Sequence, residues 1–454
     1  MICTDSRLIK AGDVFVAVPC ANSASHIQQA LQLGASLVFT EEKLFSDSRV
    51  VIVNDAFLVA SHLSRIAYPS QPENAVAVTG TNGKSSVAHF VSQIWQHCGT
   101  KSANLGTLGL FVNGNKINSL NIPNLTTPDA LNLHKVLNWL GTNGVNCVVF
   151  EASSAALDQK RLHSVSLSSA IFTNFASDHL DYHKTREAYF EAKLKLFSEV
   201  LPQNQFAVIP SDEAYLYKKV KSVHTKIITY GYNQQSVVQA YDVNATINKI
   251  KFNLRIDKIV FENIEVNLCG IFQLTNVLAV VAWAYSTKIP VETIIKAIPS
   301  LTPLNGRMEH IAIYNGADIF IDYAHTADGF KNALLELKRY TTNKLICVFG
   351  CGGNRDVSKR SEMGKIANKV ADVVIVTDDN PRDEDPALIR RAILFLCPKG
   401  IEIADRQKAI ETALKMATTG DVVAIIGKGH ETVQIYGSKK YYFNDKDTVL
   451  KLVN

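Results

Sequence analysis

The segment from Ala75 to Trp95 limits the possible folds of this chain more than any other part of it. Ala75 to Val78 is a short apolar run of the kind that forms a buried strand. Apolar residues then recur at the spacing of one helical face: Val87, Phe90, Val91, Ile94 and Trp95. Between strand and helix lies the sequence GTNGKSS, residues 80–86. The N–H groups of such a loop and the N-terminus of the helix can hold a polyphosphate, so the segment predicts a phosphate-binding loop.

Two side chains of this loop suit a nucleoside triphosphate. Lys84 can neutralise the β and γ phosphates, and Ser85 can offer its hydroxyl to Mg²⁺. Val78 stands where the common G-x-x-x-x-G-K-[ST] pattern has its first glycine, so the loop is a variant of that pattern. The alternative is a plain strand-to-helix turn. The predicted nucleotide contacts in the loop are Gly80, Thr81, Asn82, Gly83, Lys84, Ser85 and Ser86.

Strand and helix patterns alternate along most of the 454 residues, which are too many for one ordinary core. We predict an α/β protein of three domains. These are a small N-terminal α/β domain (1–72), a central domain with a P-loop-type, mostly parallel sheet and covering helices (73–303), and a C-terminal Rossmann-like α/β domain (304–454). Short β-branched runs between Gln205 and Leu268 predict an antiparallel appendage on the central domain.

The charge balance argues against polyanionic partners. Lys and Arg outnumber Asp and Glu by 47 to 42, a net charge of +5 without a dense basic run, so we expect no nucleic acid and no membrane partner. No apolar stretch reaches the roughly 18 residues of a spanning helix, and Asp5 and Arg7 stand where a signal peptide would be apolar. The eight scattered cysteines predict reduced core thiols in a cytoplasmic protein.

Three further polar residues lie on or beside predicted elements of the central domain. Glu151 follows an apolar run, at a place where open α/β sheets collect ligands and metals, although it could equally be an ordinary loop acid. His179 follows the next strand, and Lys193 lies in a predicted helix. Taken alone, they would be a structural histidine and a solvated lysine. The surrounding motifs decide between these interpretations.

These motifs resemble those of the Mur ligases and the related folylpolyglutamate synthetases, ATP-dependent enzymes that join an amine to a carboxylate. The matches run from Thr4 to about Asp447 in the family's order, over nearly the whole chain. In chain order they include GTNGKS, E-x-S-S at Glu151, D-H-L-D at His179, the lysine segment at Lys193, the segment ending at Asn276, GRME at Arg307 and DYAHT at Asp322.

The resemblance implies roles for these residues. ATP and Mg²⁺ are the implied cofactors, and the implied catalytic residues are Lys84, Glu151, His179 and Lys193. The implied metal ligands are Ser85, Glu151, His179 and Lys193, the last as a carbamate formed with CO₂. Such a carbamate turns a cation into an anionic oxygen ligand. The implied ATP contacts outside the loop are Asn276, Arg307 and Asp322.

The sequence DNPR, residues 379–382, follows a predicted strand at Val373 to Val376. Asn-Pro alone would indicate a turn. Within the family, DNPR is similar to the signature of the branch that adds meso-diaminopimelate, whose distal carboxylate a guanidinium can grip bidentately. The implied amino-acid contacts are Arg355, Asp379, Asn380, Pro381, Arg382, Gly427 and Glu431, of which Glu431 accepts from the distal ammonium.

The other implied substrate is UDP-MurNAc-L-Ala-D-Glu, whose D-glutamate carboxylate is activated by ATP. Its implied contacts are Thr4, Ser6, Thr126, Thr127, Ser153, Gln159 and Arg161. Arg161 would neutralise the diphosphate, with a surface arginine as the alternative. The resemblance thus implies a monomeric cytoplasmic ligase of peptidoglycan precursor synthesis. Relatives usually carry a further segment before the DSR sequence that begins here at Asp5.

Several positions depart from the family's pattern. The stretch Cys20 to His26 lacks the glycine-rich segment of the uracil pocket. Ala155, Gln273 and Asn354 replace a histidine, an asparagine and an aspartate. The phosphate loop and DNPR are intact, so we expect activity. Two alternatives stay open: a sister ligase that uses L-lysine or glutamate, and a catalytically weak homologue that binds nucleotide without turnover.

Overall fold

The computed structural model describes residues 1–43, 45–120, 122–123, 125–176, 178 and 180–453, with the side chains of residues 180 and 181 outside the description. The chain divides into two compact units. The first comprises residues 1–241, 254–260 and 276–297, and the second comprises 242–253, 261–275 and 298–454. Each unit has its own buried apolar clusters.

The first unit begins with a small parallel sheet. In sheet order its strands are β1 (Ile2–Cys3), β2 (Val14–Ala17), β3 (Leu37–Thr40) and β4 (Val50–Ile52), and its helices are α1 (Ser23–Gln32) and α2 (Ala56–Ala67). Phe15 and Ala17 lie in one core with Ile27 of α1, whereas Val16 packs with Ala56 of α2. This alternation is that of a strand covered on both faces. The predicted small α/β layer is confirmed, and α2 is an element that the sequence patterns did not indicate.

A larger sheet follows in the same unit. Its elements are β5 (Asn74–Thr79), α3 (Lys84–His97), β6 (Ser102–Gly106), β7 (Gly109–Val112), β8 (Asn115–Lys116), α4 (Ala130–Thr142), β9 (Cys147–Glu151), α5 (Ser154–Asp158), β10 (Ser169–Phe172), α6 (Leu180–His183), α7 (Arg186–Lys195), β11 (Phe206–Pro210), α8 (Ala214–Val223) and β12 (Ile227–Gly231). A π-helical turn, Leu196–Val200, extends α7. Among these strands the order is β12-β11-β10-β5-β9-β6-β7-β8, parallel from β12 to β6, and the sheet continues beyond β12. The predicted mostly parallel sheet is confirmed.

The predicted antiparallel appendage beginning at Gln205 is wrong in its first part. β11 and β12 are parallel strands of the main sheet, with Ala207 beside Ile227. α8 supplies the crossover that a parallel pair requires. Its apolar face is narrow, since its buried residues are Leu216 and Val220. The remaining elements before the second sheet system are β13 (Val238–Ala245), β14 (Ile250–Ile256), β15 (Ile259–Val266), α9 (Ile271–Ser286) and α10 (Val291–Ala297).

The second unit contains a Rossmann-like sheet, as predicted. Its elements are β16 (Glu309–Tyr314), β17 (Ala317–Asp322), α11 (Ala327–Tyr340), β18 (Leu345–Phe349), α12 (Ser358–Val370), β19 (Val373–Val376), α13 (Pro386–Leu394), β20 (Ile401–Glu402), α14 (Arg406–Met416), β21 (Val422–Ile426), the hairpin β22 (Val433–Tyr436) and β23 (Lys439–Tyr442), and α15 (Asp445–Val453). The strand order is β16-β17-β21-β18-β19-β20, with β16 antiparallel and the others parallel. Ligand sites in such sheets lie at the carboxyl ends of the strands.

The cysteines and helices bear on two further expectations. All eight cysteines are free thiols, and six are buried. Cys20 and Cys98 are exposed, so the prediction of core thiols is wrong for these two. Both follow the end of an element, where the chain returns to the surface. No helix in the described part of the chain is long and apolar enough to cross a bilayer.

Candidate active site

The glycine loop joins β5 to α3 and has a backbone that only glycine allows at two points. Gly80 has φ +141° and Gly83 has φ +83°. A Cβ at Gly80 would lie 1.9 Å from Thr173 Oγ1, and one at Gly83 would lie 2.4 Å from Asn276 Oδ1. Asn174 fixes the loop between them, because its carbonyl accepts from Thr81 N at 2.9 Å. The loop is therefore close-packed, and the predicted ATP contact Asn276 lies against it.

Two lysines converge on one carbonyl of this loop. Lys84 Nζ donates to the carbonyl oxygens of Gly80 (2.9 Å) and Thr81 (2.8 Å). Lys193 Nζ, on α7, donates to the same Gly80 oxygen at 2.8 Å and lies 4.5 Å from the centre of the Tyr189 ring. Lys193 is only 1% exposed, so it is not the solvated lysine of the alternative interpretation. Burial, together with the charge of Lys84, holds the pKa of Lys193 well below its ordinary value.

Ser85 and Glu151 meet at the start of α3. Glu151 ends β9, which lies beside β5 in the sheet, and Ser85 Oγ donates to its Oε1 at 2.9 Å. Thr107 N also donates to Oε1 at 2.9 Å, and Thr107 Oγ1 donates to Oε2 at 3.3 Å. A Cβ at Gly106 would lie 2.0 Å from Oε1, so a larger residue there would displace the Glu151 carboxylate. Glu151 is thus a buried acid held in place, rather than an ordinary loop residue.

This arrangement fits Mg²⁺ by the chemistry of its donors. Mg²⁺ in nucleotide enzymes is held by one or two protein oxygens, with phosphates and water completing the shell. Ser85 and Glu151 supply two such oxygens beside the glycine loop. No group of three acidic, histidine or cysteine ligands exists among the described residues. The predicted ligand His179 lies outside the described residues, and Ser86 is buried in the first turn of α3.

A cavity of about 560 Å³ opens in the small parallel sheet and extends to the loop after α5. It is lined by the predicted contacts Thr4, Ser6, Gln159 and Arg161. It is also lined by Cys20 and His26, which bound the stretch where the family has the glycine-rich segment of the uracil pocket. Phe15 and Asp129 line it too, although no motif indicated them. Their only sequence signal was position, since Phe15 lies in β2 and Asp129 follows Thr126 and Thr127 closely.

Arg161 links this cavity to the Glu151 site. Its Nη1 donates to the carbonyl of Thr127 at 2.6 Å, and its Nη2 donates to Gln159 Oε1 at 2.6 Å. Thr127 Oγ1 donates to the carbonyl of Glu151 at 2.7 Å and accepts from Ser153 N at 3.0 Å. Burial lowers the pKa of the Arg161 guanidinium. Four of the residues predicted to contact this substrate thus form a hydrogen-bonded path that reaches the backbone carbonyl of Glu151, namely Arg161, Gln159, Thr127 and Ser153. Thr126 joins it through Thr107, with 3.1 Å between their hydroxyl oxygens.

In the second unit, the DNPR sequence forms a turn after β19. Arg382 has φ +52°, and its Nη1 donates to the carbonyl of Gly353 at 2.8 Å. A Cβ at Gly352 would lie 2.8 Å from Arg382 Nη1 and 3.8 Å from Arg355 Cγ, so both predicted arginines flank this glycine. Arg382 is half-buried and Arg355 is exposed. Pro381 is buried beside them.

The other predicted amino-acid contacts lie close to this turn. Asn380 Nδ2 donates to Glu431 Oε2 at 2.7 Å. A Cβ at Gly427, where φ is +118°, would lie 2.9 Å from Asp379 Oδ2. Asp379 is buried, and burial raises its pKa against the opposing charge of Lys428. The structure therefore brings the DNPR turn and the GKGHE loop (residues 427–431) together at the carboxyl ends of β19 and β21.

Arg307 and Asp322 form a second polar cluster of this unit. Asp322 accepts from Met308 N and Ala324 N, both at 2.7 Å, and burial raises its pKa although the charge of Arg307 opposes this. The guanidinium carbon of Arg307 lies 4.6 Å from the centre of the Tyr323 ring. The Tyr323 and His430 rings are 4.7 Å apart. The sequence motifs gave no role to either ring, although each ring lies inside one.

The chain matches two family models. Residues 78–284 match the Mur ligase middle domain, and residues 306–429 match the Mur ligase glutamate ligase domain.

The chain is also similar, over nearly its whole length, to curated proteins and to a solved structure that share one name. A UDP-N-acetylmuramoyl-L-alanyl-D-glutamate–2,6-diaminopimelate ligase of Rickettsia bellii is 40% identical over 98% of this chain and 93% of its own length. Its counterpart in Agrobacterium fabrum is 39% identical over 99% and 92%. A solved structure of a ligase with this name aligns with a TM-score of 0.71 and 31% identity, over 100% of this chain and 94% of its own.

Proposed function

The chain belongs to the Mur ligase family, and from this premise we propose that it joins meso-diaminopimelate to UDP-MurNAc-L-Ala-D-Glu at the expense of ATP, as a cytoplasmic monomer. Relatives that are 40% identical over nearly the whole chain carry the name of this reaction. The observation that carries the proposal is the cluster of Arg382, Asn380 and Glu431 in the second unit. It offers a cation to a carboxylate and an anion to an ammonium, the two groups at the distal end of diaminopimelate.

The glycine loop supports ATP as the phosphoryl donor. Its N–H groups and the N-terminus of α3 favour the charge of a polyphosphate. Lys84 donates to loop carbonyls and would exchange these bonds for the β and γ phosphate oxygens. Asn276 would contact the nucleotide from beside Gly83. Arg307 and Asp322 are the other proposed ATP contacts.

Mg²⁺, when bound, would neutralise charge on the transferring phosphoryl group. Ser85 and Glu151 would hold it, with His179 and a carbamate on Lys193 as further ligands. Thr107 would keep Glu151 oriented through its two hydrogen bonds.

The chemistry follows from the weakness of a carboxylate as an electrophile. Transfer of the γ-phosphoryl group to the D-glutamate carboxylate gives an acyl phosphate and ADP. The amine of diaminopimelate then attacks the acyl carbon, the carbon–nitrogen bond forms, and phosphate leaves while the nitrogen loses a proton. Water competes with the amine at this stage, so the acyl phosphate must be shielded from solvent.

The 560 Å³ cavity supports binding of the nucleotide sugar. Arg161 places a cation there, and Thr4 and Ser6 add hydroxyl groups for a uridine end. The hydrogen bonds from Arg161 through Thr127 to Glu151 would align the peptide end with the phosphate loop.

We assign the N-terminal, central and C-terminal domains to residues 1–72, 73–303 and 304–454. The two family matches fall inside the second and third of these.

In the test, purified protein is incubated with ATP, Mg²⁺ and UDP-MurNAc-L-Ala-D-Glu, together with meso-diaminopimelate, with L-lysine or with no amino acid. The mass of the nucleotide product is then measured. We expect a product heavier by one diaminopimelate residue, which is diaminopimelate less one water, and no adduct with lysine. Arg382→Ala should lower kcat/KM for diaminopimelate by about 10- to 100-fold, because a charged hydrogen bond is lost, and should leave ATP binding intact. Arg391→Ala, at an exposed arginine of α13, is the matched control. A lysine adduct would instead indicate the sister ligase, and ATP binding without product would indicate a weak homologue.

A further inference from the structure

Lys428 lies within the GKGHE loop, and its side chain is directed into the protein. It follows β21, and it is flanked by Gly427 with φ +118° and Gly429 with φ +51°. A Cβ at Gly429 would lie 2.6 Å from Tyr323 Cβ, so the chain passes too close to its neighbours for any other residue. The two glycines let the backbone turn sharply on either side of the lysine. Lys428 itself has no exposed surface.

The Lys428 ammonium uses three donors on three acceptors. Nζ donates to Glu431 Oε2 at 3.0 Å, to Asn380 Oδ1 at 3.3 Å and to the carbonyl of Val433 at 2.7 Å. A buried ammonium without such partners would be strongly unfavourable, so these bonds explain how the cation is tolerated. Two of its three partners are side chains of the proposed amino-acid site.

This network fixes the orientation of the Asn380 amide. Its Oδ1 accepts from Lys428 and also from Ile435 N at 3.0 Å. Its Nδ2 is therefore left to donate to Glu431, at 2.7 Å. The flipped amide would place an NH₂ group against two donors, so only one orientation satisfies the contacts.

The same network orients Glu431. Oε2 is held from inside by Lys428 and by Asn380, and no hydrogen bond within the described residues reaches Oε1. Glu431 is partly exposed, and Oε1 is the oxygen left to accept from a ligand. Asp379 is a second acid near this cation, whose charge opposes the effect of burial on the Asp379 pKa.

We propose that Lys428 is a positioning residue for the amino-acid substrate: its buried ammonium locks Asn380 and Glu431 so that one Glu431 oxygen receives the distal ammonium of diaminopimelate. This inference rests on the proposed function. It assigns recognition of the distal ammonium to Lys428 acting through Glu431, and recognition of the distal carboxylate to Arg382.

The test compares meso-diaminopimelate with 2-aminopimelate, which lacks only the distal amino group. In the wild type, KM should be lower for diaminopimelate. Lys428→Met should raise KM for diaminopimelate by about 10- to 100-fold, change KM for 2-aminopimelate by less than about 3-fold, and leave kcat and KM for ATP near their wild-type values. Lys399→Met, at an exposed lysine of the same unit that donates to the carbonyl of Ala371, is the control and should change none of these values.

Three further variants keep the test decisive. Glu431→Gln should reduce the preference for diaminopimelate over 2-aminopimelate, and adding Lys428→Met to it should reduce the preference little further, because both act on one contact. Lys428→Gln, which keeps a donor, should lie between wild type and Lys428→Met. Equal losses with both substrates, or no loss, would overturn the inference. So would unfolding of both lysine variants, because the lysine would then act on stability. A wild type that ligates neither substrate would refute the proposed function itself.

Discussion

Lys193 is the side chain whose burial most needs a chemical explanation. It is 1% exposed, its Nζ bonds the Gly80 carbonyl, and its pKa is held well below the ordinary value by burial and by Lys84. A lowered pKa increases the neutral amine at neutral pH, and the neutral amine is the form that reacts with CO₂. The structure thus gives a physical reason for the carbamate that the family motif implies.

We predict that the protein takes up carbon from ¹³C-bicarbonate at Lys193. A carbamate resonance should appear in the ¹³C NMR spectrum of the wild type and be missing from Lys193→Met, whose ligase activity should fall by on the order of 100-fold or more because a charge-stabilising group is lost. Lys195→Met, at a half-buried lysine of the same helix that pairs with Asp158 of α5, should keep both signal and activity. A resonance that survives Lys193→Met would show that the carbamate forms elsewhere.

For individual side chains, the sequence predicts the residues that lie in motifs. It does not predict the neighbouring residues that orient them. Ser85 and Glu151 are 66 residues apart, and the family motifs imply that both are metal ligands. Thr107 donates twice to Glu151 from the β6–β7 turn, but it lies in no motif. Lys428 lies in a motif, yet only the structure shows that its side chain is buried.

Among the elements, α4 carries an unusual internal residue. His134 is fully buried, and neither ring nitrogen has a hydrogen-bond partner among the described residues. Burial, with the charge of Arg65, lowers the pKa of His134 to about 4. Below pH 6.5 this histidine is protonated in the unfolded chain. In the folded chain it stays neutral until the pH approaches 4, so protonation favours the unfolded chain between these values.

We therefore predict that stability falls as the pH drops from 6.5 to 4 and that His134 contributes up to about 3 kcal/mol of the loss. His134→Leu should raise the melting temperature at pH 5 more than at pH 7.5, because the leucine cannot be protonated. Thermal unfolding at the two pH values measures this. His97→Leu, at an exposed histidine of α3, should leave the difference unchanged. An equal gain in melting temperature at both pH values would mean that packing around residue 134, rather than its protonation, limits the stability.

Elements were predictable where apolar spacing is strong. β5, α3 and β9 have wide apolar faces, and the structure has them where the sequence places them. α8 buries only two residues, so its helical period is weak, and the strands on either side were interpreted as antiparallel. Sheet order also depends on which crossover packs on which face, and residue spacing alone does not encode that choice.

In the whole molecule, the proposed phosphate-binding residues and the proposed amino-acid-binding residues lie in different units. The phosphate loop and the Ser85–Glu151 pair belong to the first unit, and the Arg382, Asn380 and Glu431 cluster belongs to the second. Motif order in the sequence predicts this division, because the phosphate motifs precede the amino-acid motifs. It does not predict which side chains outside the motifs complete each cluster. The account requires that the carboxylate activated by the first unit is the one attacked by the amine of the second.

The measurement that tests this most directly follows an oxygen atom. The substrate is UDP-MurNAc-L-Ala-D-Glu labelled with oxygen-18 in the D-glutamate γ-carboxylate. It is incubated with the protein, ATP, Mg²⁺ and meso-diaminopimelate, and the oxygen-18 content of the released phosphate is measured by mass. The account predicts that each phosphate carries one labelled oxygen and that phosphate and tripeptide product form in equal amounts. Unlabelled phosphate, with both labelled oxygens retained in the nucleotide substrate, would contradict it.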